Sequence, residues 1–140
     1  MILAACVLLA VYLVYFTTWF KSKTLLIYHT TGTRGLALRN RQPGVPVITF
    51  ALESSMRLTE VKVVAVAALA TNDRPVAMWH LVSISNSIPC KSFRYGQHIQ
   101  GMKPFVASSP AKPLETNVAY RLFVTAGRDQ GQHDFTYTGQ

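Results

Sequence analysis

The stretch AYRLFVTAGRDQGQHDFTYTG, residues 119–139, decides the fold. Tyr120, Leu122 and Val124 recur on one side with a period of two, which is strand spacing rather than helix spacing. Phe135 and Tyr137 repeat the pattern, with Asp134, Thr136 and Thr138 on the opposite side. Arg128-Asp129-Gln130-Gly131 between the two runs reads as a hairpin turn. Two antiparallel strands, each with one apolar face, must bury that face against a second layer.

Working backwards, the same period recurs. KSFRYG (91–96) sets Phe93 and Tyr95 against Ser92 and Arg94. VAMWHLVSIS (76–85) is apolar on both faces and predicts a central strand, with Trp79 buried against Tyr120, Leu122 and Phe135. LTEVKVVAVAAL (58–69) alternates from Glu60 to Val63. Its alanines allow a helix, but its β-branched valines favour a strand. VPVITFAL (45–52) predicts another strand. Thr71-Asn72-Asp73-Arg74-Pro75 is a turn, and residues 103–117, with three prolines, predict a long irregular crossing. Six or seven short strands with regular turn signals predict a mainly β chain, an antiparallel β-sandwich over residues 46–140. The rhythm of Trp79, Phe93-Arg94-Tyr95-Gly96 and Tyr120 resembles small immunoglobulin-like or fibronectin-like modules in architecture. Trp79, Phe93, Tyr95, Tyr120, Leu122 and Phe135 form the expected core.

The N-terminal segment differs in kind. Ile2 to Phe20 contains no charged residue, although the whole chain carries 14 Lys and Arg against 6 Asp and Glu, net +8. Nineteen residues make about 28 Å of helix at roughly 1.5 Å per residue, enough for the hydrocarbon core of a bilayer. Trp19 and Phe20, followed by Lys21 and Lys23, suit an interface. A cleaved signal peptide fits poorly, because no basic segment precedes the apolar run and bulky rings occupy its end. The lipobox-like Leu3-Ala4-Ala5-Cys6 lies too close to the start and too far inside the run. The expectation is a single transmembrane helix over residues 1–23 and a membrane-proximal linker over 24–45. In the linker, TLLIYHT (24–30) either extends the helix or starts the first strand.

Lys21, Lys23, Arg34, Arg39 and Arg41 follow the run before any acid. The positive-inside rule therefore places Met1 outside and the sandwich in the cytoplasm of a cell bounded by this inner or plasma membrane. Arg34, Arg39 and Arg41 would lie near anionic lipid headgroups, each attracted by about 1 kcal/mol.

Site chemistry is sparse. Cys90, His98 and Met102, with His80 upstream, resemble the copper loop of cupredoxins in residue type. The seven residues between Cys90 and His98 are too many for that loop, and the ordinary reading is a buried Cys90, an exposed His98 and a gap-filling Met102. No Gly-x-Ser-x-Gly elbow accompanies the serines. Glu53 and Glu60 are seven apart and neither sits beside a His in the sequence, and His133 and Asp134 point to opposite faces of a strand. Gly32-Thr33-Arg34-Gly35 is not a phosphate loop. Basic residues are scattered, and Phe93 and Tyr95 face inward, so nucleic-acid stacking is not expected. The sequence predicts no enzyme, no catalytic residue, no cofactor, no metal, no nucleic-acid partner and no small-molecule substrate. It reads best as an accessory or structural subunit of a membrane protein complex, whose partners are other membrane subunits. A ligand- or metal-binding sandwich using the Cys90–Met102 loop is the alternative.

Overall fold

A computed structural model describes residues 2–19, 22–31, 47–84 and 87–138, with the side chains of 17–19 left out. Helix α1 spans Ile2–Trp19. Eight strands follow: β1 Ile27–Thr31, β2 Ile48–Met56, β3 Glu60–Ala65, β4 Trp79–Ser83, β5 Cys90–Arg94, β6 Met102–Pro104, β7 Val118–Ala126 and β8 Asp129–Tyr137. A short helix, α2 Val66–Thr71, interrupts them between β3 and β4. The chain is therefore mainly β. Its strands form two antiparallel sheets, ordered β1-β2-β5 and β6-β4-β3-β7-β8, as a β-sandwich requires.

Alternation along the strands builds the core. Tyr120, Leu122 and Val124 of β7 are buried, as are Val61 and Val63 of β3, Trp79 and Leu81 of β4, and Phe135 of β8. The smaller sheet contributes Ile27, Ile48, Phe50, Leu52 and Phe93. Aromatic rings join the layers: Phe50 lies edge-on to Phe135 at 5.1 Å between centroids, while within its own sheet it lies 5.6 Å from Phe93. Trp79 meets Tyr95 at 5.4 Å and Phe93 at 6.1 Å. These ring partners of Trp79 come from β5 and its end, not from β7 and β8, because β3 stands between β4 and β7 in the sheet. The Tyr95 hydroxyl donates to the Lys112 carbonyl at 2.7 Å and so ties the proline-rich crossing to the core. Burial, and secondarily Tyr120, raises the pKa of Tyr95 and keeps that hydroxyl a donor.

Several sequence expectations change. The run 58–69 is strand only to Ala65, where pairing with Tyr120 ends, and then winds into α2 through its alanines. The hairpin turn is Gly127-Arg128, since Ala126 pairs with Asp129. Gly127 has φ +63° and Arg128 is not left-handed, which is the two-residue II′ pattern. Gly131, taken from the sequence as part of the turn, lies inside β8. Val76 is exposed and precedes β4, so the central strand is shorter than 76–85. The crossing 103–117 begins with the short strand β6, and part of the stretch read as a linker, 24–45, is strand β1.

Every described side chain of α1, Ile2 to Phe16, is exposed. Among the described residues no helix is long and apolar enough to cross a membrane. The expected transmembrane helix over residues 1–23 is thus unsupported by the described residues. Of the interface residues, Lys23 is described and exposed. The Trp19 side chain, Phe20, Lys21, Arg34, Arg39 and Arg41 lie outside the described residues.

Candidate functional site: a histidine pair where the sheets meet

The segment after α1 runs onto the far edge of the larger sheet before it joins the smaller one. Thr24 pairs with Gln130 in a parallel bridge. Leu25 N–H donates to the Gln130 carbonyl at 3.0 Å, and Gln130 N–H to the Lys23 carbonyl at 3.3 Å. Lys23 N–H donates to Asp129 Oδ1 at 3.0 Å. Leu25 crosses so closely over Gly131 that a Cβ there would sit 2.7 Å from both the Leu25 Cβ and its carbonyl oxygen. The chain then forms β1, antiparallel to β2 from Ile27–Leu52 to Thr31–Ile48. One continuous segment therefore edges β8 and starts the opposite sheet.

Strand alternation brings two histidines together at this seam. His29 shares the inward side of β1 with buried Ile27, and His133 shares the inward side of β8 with buried Phe135. Both imidazoles are half-buried at the rim of the core. Their Nδ1 and Nε2 atoms, respectively, are 2.6 Å apart, within hydrogen-bond distance. The rings are 4.8 Å apart between centroids, and His29 lies 6.0 Å from Phe135. Burial first, then the neighbouring His29, lowers the pKa of His133, with Asp134 acting weakly the other way. Asp134 points outward. Arg121 grips it bidentately, Nε to Oδ1 at 2.6 Å and Nη2 to Oδ2 at 2.8 Å, and holds its carboxyl below the usual range.

The four residues singled out in the sequence are not assembled. His80 lies between inward Trp79 and Leu81, so its ring is on the outer face of the larger sheet. There its Nε2 meets Glu60 Oε1 at 2.7 Å, and the ring stacks on Phe105 at 4.4 Å. Met102 is buried in the core cluster, on the other side of that sheet. His98 is exposed. The Cys90 thiol donates to the Ser92 carbonyl at 3.0 Å, and burial raises its pKa. His80 and Met102 thus lie on opposite faces of the larger sheet. Among the described residues no three His, Cys, Asp or Glu side chains converge on one point. Phe93 and Tyr95 are buried rings, not a stacking surface.

The histidine pair escaped sequence reading because its members stand 104 residues apart. The signal was a polar ring on the apolar side of a strand: the spacing of Phe135 and Tyr137 already places His133 among them. No protein-family model matches the chain, no curated protein is significantly similar to it, and neither is any solved structure.

Proposed function

We propose that the protein is a non-catalytic accessory subunit of a larger membrane protein complex, held by α1 and docking through its sandwich. The carrying observation is the surface of α1. From Ile2 to Phe16 it has no charge and no buried side chain, with Leu3 80% and Leu8 71% exposed. A helix that is apolar all round is stable only inside a non-aqueous environment, either lipid or neighbouring helices. The uncharged run to Phe20, and Lys21 and Lys23 after it, support a membrane rather than a soluble partner. Arg34, Arg39 and Arg41 favour contact with anionic headgroups and a sandwich on the cytoplasmic side. The finer architecture we assign is immunoglobulin- or fibronectin-like. Host complexes of this kind include electron-transfer complexes and secretion machines.

The test is alkaline carbonate extraction of native membranes, followed by native electrophoresis in mild detergent. The chain should stay in the membrane pellet and migrate well above the 15.5 kDa of one copy. Release into the carbonate supernatant sinks the anchor. Migration as a free single chain sinks the subunit reading.

A further inference from the structure

We propose that the end of the sandwich at which residues 23–25 enter lies against lipid headgroups, with Ile84 and Ile88 dipping into the interface. The proposal rests on the reading of α1 as a membrane anchor and adds which surface of the sandwich meets the lipid. Chain reach carries it. Trp19 ends α1 and Lys23 follows four residues later, so the two stand at most about 14 Å apart. Lys23 is fixed to the sandwich: its N–H donates to Asp129 Oδ1, and its carbonyl accepts from Gln130 N–H. An α1 that ends at the interface therefore holds this end of β8 within the same distance of it. The opposite end of β7 and β8, nine residues each, is about 27 Å from Lys23.

Three connections share that end. Gly127 N–H, in the β7–β8 turn, donates to Thr59 Oγ1 at 2.8 Å, and Thr59 N–H donates to the Thr125 carbonyl at 2.7 Å, which brings the β2–β3 connection there. Ser83 N–H donates to the Thr59 carbonyl at 2.8 Å and Ile84 N–H to the Gly101 carbonyl at 3.0 Å, so the β4–β5 connection starts at the same end. It finishes there too, where Cys90 pairs with Met56. Polarity in this connection is inverted. Ser87 is buried, at 7% exposure, whereas Ile84 and Ile88 are 55% and 47% exposed. Apolar side chains turned outward beside a polar one turned inward suit a surface that is not water. Lys23, Arg57, Lys91 and Arg128 are exposed at the same end. The described acids there are Glu53, Glu60 and Asp129, of which Glu60 is bound to His80 and Asp129 to the Lys23 backbone. Isoleucines among basic side chains match an anionic lipid surface: the apolar groups enter the acyl boundary and the cations meet phosphate.

The experiment uses the full chain with Cys6→Ala and Cys90→Ala, carrying either Ile88→Cys or, at the opposite end before β4, Val76→Cys. Both positions are exposed, so neither change disturbs the core. Each cysteine is coupled to a polarity-sensitive nitrobenzoxadiazole dye. The chain is then reconstituted into vesicles of phosphatidylcholine and phosphatidylglycerol, with or without lipid bearing a nitroxide near its headgroup. The dye at position 88 should emit to the blue of the dye at 76, and nitroxide lipid should quench it at least about threefold more strongly. A chain that does not float with the vesicles would overturn the anchor and this seating together. A chain that floats, with the two dyes equally quenched or position 76 quenched more, would overturn the seating alone. Shielding of position 88 in native membranes without quenching in these vesicles would assign the loop to a protein neighbour and likewise overturn the seating.

Discussion

His133 shows how one side chain ties pH to the fold. Its folded-state pKa lies below the ordinary value of 6.5, because burial and His29 disfavour its charge. The unfolded chain therefore binds more protons there than the folded one as pH falls through 6.5, and stability declines in that direction. The denaturation midpoint of the wild type should fall between pH 7.5 and 5. His133→Gln should flatten that slope. A slope unchanged by the substitution would show that other groups carry it. Gly131 is constrained differently, since a methyl there meets the Leu25 carbonyl, which the bridge to β8 holds in place. Gly131→Ala should destabilise the sandwich by about 1–3 kcal/mol, read from equilibrium denaturation. A neutral result would mean that residues 23–25 move aside freely.

At the scale of elements, strands with one wet face were plain in the sequence. β7 and β5 show it: inward Tyr120, Leu122 and Phe93 alternate with half-exposed Arg121 and exposed Ser92 and Arg94. What was hidden had competing local causes. In residues 60–71, β-branched valines and helix-forming alanines pull in opposite directions, and the end of pairing with β7 decides between them. Gly131 looked like a turn residue, but the chain that requires its small size comes from Leu25, more than a hundred positions away. The histidine pair was illegible for the same reason. Trp79 is the element-scale test: on β4 it faces Phe93 and Tyr95 across the sandwich. Trp79→Ala should cost about 3–5 kcal/mol. That is a large share of the 5–15 kcal/mol typical of a whole domain. A cooperative melt near the wild-type temperature would contradict the packing described.

For the whole molecule, the proposed orientation sets which partners can reach the sandwich. Five basic residues after the apolar run, with no acid before Glu53, favour a cytoplasmic location. A cysteine replacing Gln140, in a Cys6→Ala, Cys90→Ala background, should react with an impermeant maleimide in inside-out vesicles and stay unlabelled in right-side-out ones. The reverse pattern would turn the partner search to the other side of the membrane.

The way residues 23–31 engage both sheets bears on how such a molecule could be shed. The pairs from Ile27–Leu52 to Thr31–Ile48, and the bridge at Thr24 and Gln130, hold that strand by contacts independent of the chain that follows it. A protease cutting between Thr31 and Val47 would sever the polypeptide without separating its two parts. The strand would stay inserted, as in a split protein whose fragments complement each other. Release of the sandwich from its N-terminal helix would need a cut before Lys23, and a fragment starting at Val47 would leave with its core open along β2 and β8.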